Sequence, residues 1–79
     1  MQDSIEVRPL AVGWLVEARS FVNGLTFRSG AAAERAARRL AEDYARAGQS
    51  TAVRIYLRDG SLAGRILYPA PGDALPIAG

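Results

Sequence analysis

All ten basic side chains in this 79-residue chain are arginine; there is no lysine. A guanidinium offers a planar fork of donors that matches phosphate and carboxylate oxygens, so arginine clusters are where binding chemistry is sought first. Two clusters stand out. Arg19, Arg54, Tyr56 and Arg65 would share one face of a sheet, with Tyr56 able to stack on a base between Arg54 and Arg65. Arg35, Arg39 and Arg46 fall within about 40° of one another on a helix advancing about 100° per residue, an arrangement able to track phosphates. Against the second cluster, Glu34–Arg38, Arg38–Glu42, Arg39–Asp43 and Glu42–Arg46 are all spaced i,i+4, the mark of a self-neutralised solvated face; only Arg35 lacks such a partner. Alanine and glycine are abundant too, and codon bias in a high-GC bacterial genome enriches all three residues together. That explanation weighs more heavily than a nucleic-acid partner.

Catalytic chemistry has little to work with. With no histidine and no cysteine, the commonest general base, the reactive thiol and the usual zinc ligands are missing. No phosphate-binding glycine loop and no G-x-S-x-G elbow occurs. Glu42 and Asp43 are adjacent, so on a helix they diverge by about 100°. A Glu6/Glu17 carboxylate pair across the first hairpin is conceivable, but the arginines Arg8 and Arg19 are the better partners for each. The expectation is a non-enzymatic protein with no catalytic residue, metal or cofactor.

The elements that must carry these side chains are organised around Ser29–Gly48. Ala33, Ala36, Ala37, Leu40, Tyr44 and Ala47 form an apolar band about 100° wide. Ser29 is a suitable N-cap, and Gly48 sits where a left-handed glycine ends a helix. Ile5–Arg8 alternates as a half-buried strand closed by Pro9, and Gly13 suits a positive φ in the connection that follows. A strand over 14–22 places Trp14, Val16 and Ala18 toward the core and Leu15, Glu17 and Arg19 away. Asn23-Gly24 signals a two-residue type I′ turn into a short strand over 25–28. Asp59-Gly60 signals a second, between strands 51–58 and 62–68; it sets Leu57 opposite Leu62, Tyr56 opposite Ala63, Ile55 opposite Gly64, Arg54 opposite Arg65 and Val53 opposite Ile66. Two facing arginines should repel, so solvent, an anion or an acidic residue must lie between them. Pro69 onward lacks any period and reads as a disordered tail over 69–79, with Leu75 and Ile77 as its only docking handles.

The fold class is therefore α+β: one helix on one face of a four- or five-stranded, mostly antiparallel sheet, ordered ββ(β)αββ within residues 1–68. Trp14, Val16, Val53, Ile55, Leu57 and Ile66 should meet Ala33, Ala37, Leu40 and Tyr44 in the core. Gly13-Trp14-x-Val16, the A-x-x-A-A-x-x-L-A run from Ala33 to Ala41 after Phe27 and Ser29, and Arg58-Asp59-Gly60 resemble a group of short bacterial domains of unknown function with a strand–strand–helix–strand–strand layout. The resemblance spans residues 5 to 67 and implies the fold, with no catalytic residues to transfer. This chain departs from it in its arginine content and its proline-containing tail.

A single helix leaves the second sheet face bare, showing Leu15, Glu17, Arg19, Arg54, Tyr56, Arg65 and Leu67. The sequence favours a protein-interaction or self-associating module, a homodimer through that face or an edge strand being the simplest form. The alternative is a nucleic-acid-binding domain. No apolar run approaches the length of a membrane span, and the acidic opening M-Q-D-S-I-E differs from a secretory signal, so a cytoplasmic protein is expected.

Overall fold

The computed structural model describes residues 3–72. Its elements run β1 (Asp3–Pro9), β2 (Trp14–Glu17), β3 (Leu25–Phe27), α1 (Gly30–Arg46), β4 (Thr51–Tyr56) and β5 (Leu62–Tyr68). The strands form one mixed sheet in the order β3-β2-β1-β4-β5. Three neighbouring pairs are antiparallel, while β1 and β4 at the centre are parallel, with Ile5 facing Val53 and Val7 facing Ile55. The α+β architecture with a helix on a mostly antiparallel sheet is thus present, in its five-stranded form.

Helix α1 begins where expected: Ser29 has extended backbone and its hydroxyl accepts the Ala32 N–H at 3.1 Å. It ends at Gly48, whose φ of 97° lets its N–H bond back to the Ala45 carbonyl. Its buried face differs from the expected band. Ala33, Ala37, Ala41 and Ala45 are the buried residues, so the helix is rolled toward the Ala41 side; Ala36 is half-buried and Ala47 exposed. Four alanines along one i,i+4 line let the helix lie close to the sheet, which favours that line over one containing the larger Leu40 and Tyr44. Those two pack instead on its flank, against a core of Ile5, Val7, Val16 and Val53. Trp14 shields the helix start, close enough that a Cβ on Gly30 would lie 3.0 Å from its indole.

Both turns depart from the two-residue form. A type I′ turn needs positive φ at its first central residue, and no non-glycine residue among those described has one. At β4–β5 the Gly60 N–H bonds the Leu57 carbonyl and the Leu57 N–H bonds the Ser61 carbonyl, with Gly60 at φ 87°: a three-residue loop ending in a glycine bulge. Asp59 favours this form because its carboxylate accepts both the Ser61 hydroxyl (2.6 Å) and N–H (2.9 Å). A register shift at Ile55/Tyr56 then sets Tyr56 opposite Leu62 instead of Ala63. Leu57 leaves the sheet and is 51% exposed, outside the core where the alternation placed it. The pairings of Val53, Arg54 and Ile55 with Ile66, Arg65 and Gly64 stand as expected.

The strand expected over 14–22 stops at Glu17, and β3 pairs with its beginning, Val16 facing Leu25 and Trp14 facing Phe27. Residues 18–24 make a loop in which the Phe21 N–H bonds the Ala18 carbonyl and the Ser20 hydroxyl meets the Tyr44 hydroxyl. Phe21 packs on the core while Val22 is 98% exposed. Burying Phe21 requires a compact turn that a straight strand would not make. After β5, Ala70 is buried and its N–H bonds the Ser50 hydroxyl at 3.0 Å. The tail beyond Gly72, including Leu75 and Ile77, lies outside the described residues.

Gly13 has φ 87°, and a Cβ there would lie 2.6 Å from the Phe27 carbonyl oxygen; Gly60 has the same φ with open space around it. Gly60→Ala is expected to cost about 1 kcal/mol of backbone strain and Gly13→Ala about 2–3 kcal/mol, measured by urea unfolding. The Ser61 hydroxyl, and after it the Ser61 N–H, hold the Asp59 carboxyl below its ordinary range. That contribution to stability is present above the ordinary aspartate pKa and is lost as pH falls through the lowered value. An NMR titration of the Asp59 carboxyl carbon should therefore show a midpoint below the ordinary one, moved upward by Ser61→Ala.

Candidate functional site

On the sheet face opposite α1, strand register lines up a row of four charges. Glu17 faces Glu6, Glu6 faces Arg54, and Arg54 faces Arg65. The two like-charge pairs would each be unfavourable alone. Placing β1 beside β4 sets the acidic half of the row against the basic half. Glu6 becomes its centre: one carboxylate oxygen accepts from Arg8 Nη2 at 2.6 Å, and the other accepts from the Tyr56 hydroxyl at 3.2 Å and lies 3.9 Å from Arg54 Nη1. Arg8 Nε also donates to Glu17 at 2.9 Å, so one guanidinium bridges the two glutamates. Bonding to Glu6, then to Glu17, raises the Arg8 pKa above its already high ordinary value. Glu6 neighbours Arg54 from the side away from Arg65, so it offsets the Arg54 charge without lying between the two facing arginines.

The first candidate surface is only partly assembled. Arg19 and Arg54 both line an open hollow of about 610 Å³, with Ser4, Glu6, Glu17 and the 18–24 loop around it. Each is already engaged: Arg54 Nη1 donates to Ser4 Oγ at 2.9 Å, and Arg19 Nη2 lies 3.1 Å from Asp3 Oδ2. That oxygen is buried without a well-aligned hydrogen bond, so proximity makes the Asp3–Arg19 contact an ion pair and nothing more. Tyr56 is unsuited to stacking because Arg8 covers its ring, 4.5 Å from the centroid. Arg65 stands next to Arg54 in register and outside the hollow. The expected partners of the glutamates were half right: Arg8 serves both, whereas Arg19 turns to Asp3.

The second cluster is brought together more fully than its charge spacing suggested. Arg35, Arg38, Arg39 and Arg46 line an open groove of about 820 Å³ beside α1, with Glu42 and, from the end of β5, Tyr68. Arg38 bonds Glu34 at 2.9 Å across one turn, as expected. Arg46 pairs with Asp43 at i,i+3 in place of Glu42. Arg39 therefore lacks the Asp43 contact read from the sequence. Arg35 and Arg39 are exposed and make no ion pair among the described residues. Tyr68 was missed by sequence reasoning; its place in a core-facing alternation gave no sign that the rolled helix would leave its ring at a groove.

Among the described residues no group of three or more potential metal-ligating side chains is found, and no helix is long and apolar enough to cross a membrane. The chain matches no protein family, no curated protein and no solved structure.

The Glu6 side chain is 26% exposed and that of Glu17 49%. Glu6→Gln leaves Arg8 and Arg54 without their shared carboxylate and should cost about 1–2 kcal/mol. Glu17→Gln should cost no more than about 0.5 kcal/mol, as exposed pairs do. Chemical denaturation of the two variants and their double mutant measures the difference.

Proposed function

We propose that the protein is a non-enzymatic interaction module whose working surface is the free edge of β5. The observation that supports this is the edge itself. Strand β5 is seven residues long and pairs on one side only, with β4. Leu62 and Leu67 are about half exposed on it. It carries one charge, Arg65, and no internal proline, so the usual devices that blunt an edge are sparse. The opposite edge, β3, has three residues. An edge of this kind accepts an extended segment through main-chain hydrogen bonds. The bare sheet face is a weaker candidate for docking, because its charges already satisfy one another and burying them would cost desolvation without new pairing.

Two occupants fit the edge: a second copy of this chain and a segment of another protein. Sedimentation across the micromolar to millimolar range reads the first directly. Amide shifts on adding a short peptide alternating glutamine and threonine read the second. Either should be centred on residues 62–68 and be suppressed in Leu62→Lys/Leu67→Lys. If neither dilution nor peptide perturbs those amides, β5 is not the working surface.

A second reading, nucleic-acid binding, is favoured only by Arg35 and Arg39 in their groove. It requires salt-dependent binding to single- or double-stranded DNA or RNA. Equal weak responses at low and moderate salt, or none, remove it.

A further inference from the structure

Resting on the strand-addition reading, we infer that the segment taken up by β5 carries a glutamate or aspartate beside Arg65 and an apolar residue two places along, beside Leu67. The cross-strand row on the open sheet face runs Glu17, Glu6, Arg54, Arg65 and ends at the free edge. Its acids sit at the inner end. Arg8 bonds both glutamates, and Glu6 lies 3.9 Å from Arg54, on the side away from Arg65. Counting Arg8, the row holds three arginines against two glutamates, and its basic end is the one that meets the edge. A strand added outside β5 would lie about 4.8 Å from it. The residue directly opposite Arg65 would share its face, with Cβ atoms about 4.5–5.5 Å apart, so a carboxylate there meets the guanidinium without help from the helix. Leu67, two residues along on the same face, is 48% exposed and would be covered by an apolar side chain opposite it.

A second copy does not supply that carboxylate. Residues 62–68 contain Arg65 and no acid, so no register between two β5 strands sets one beside it. Twofold pairing centred on Arg65 would run Arg54, Arg65, Arg65, Arg54 across the joined sheets. Centred on Leu67, it would set Arg65 against Pro69, which has no N–H to give the ladder. A strand from another protein with one acid at the matching position turns the like-charged end of the row into a paired one.

The test uses the full chain and short end-blocked peptides in which threonine alternates with valine and the central valine is replaced by glutamate, glutamine or lysine, followed by amide shifts. All should perturb residues 62–68. The glutamate peptide should bind roughly two- to fivefold more tightly than the glutamine peptide, and the lysine peptide more weakly than either, as one cross-strand ion pair allows. Added salt should narrow that preference. Arg65→Gln should level the three peptides. Arg65→Glu, which sets an acid opposite Arg54 and so is expected to keep the fold, should bring the lysine peptide to the front. Equal binding of glutamate and glutamine peptides at β5 would overturn the acidic partner while leaving strand addition intact. A glutamate preference that survives Arg65→Gln would overturn the assignment to Arg65. Loss of every β5 response would overturn both readings. Dilution-dependent shifts at 62–68 in a chain that sediments as a dimer and ignores the peptides would give the edge to a second copy and overturn the acidic partner.

Discussion

The parallel pairing of β1 with β4 is the contact on which the remainder depends. Ile5, Val7 and Val53, all fully buried, meet there beneath the helix. It joins the β1–β2–β3 meander to the β4–β5 hairpin, neither of which would bury an adequate core alone. A parallel neighbour needs a long return path, and here that path includes α1, which covers the joint it makes possible. Closeness between helix and sheet comes from the alanine line 33, 37, 41, 45. A chain this short has little apolar surface to spare, so small side chains at the contact and larger ones on its flanks are an economical way to exclude water.

The same pairing decides the electrostatics. Without β1 beside β4, Glu6 and Glu17 would face each other across one hairpin and Arg54 and Arg65 across the other. Side by side, the two halves form one row in which Glu6 serves Arg8, Tyr56 and Arg54. This internal satisfaction removes the open face as an obvious docking surface and takes Tyr56 out of use as a stacking ring. Attention passes to the places where satisfaction is incomplete: the outer side of β5, and Arg35 with Arg39 along the adjacent groove.

Much of this was legible in the residues themselves. Ser29 and Gly48 mark the helix ends through local hydrogen bonding and a positive φ, both properties of a few consecutive residues. The alternation of β1 sorts its buried from its less buried side chains and that of β5 its half-buried from its exposed ones, whereas in β4 Thr51, Ala52 and Val53 are all buried; the inner β4–β5 register follows from hairpin geometry. The turns were misread because Asn-Gly and Asp-Gly favour a primed turn only when nothing competes. At Asp59 the carboxylate's bonds to Ser61 compete and win; at Asn23 the burial of Phe21 draws residues 18–24 into a longer loop.

By itself, then, the sequence determined the element types, the helix caps, the fold class and the poverty of catalytic groups, since each depends on local spacing or on composition. Tertiary structure alone decided that β1 and β4 are parallel neighbours, how far the helix rolls on the sheet, and which arginines keep a partner. Those outcomes turn on contacts between residues some fifty positions apart, such as Glu6 with Arg54 and Ser4 with Arg54. No local pattern encodes them, because they are fixed by the joint packing of all the elements.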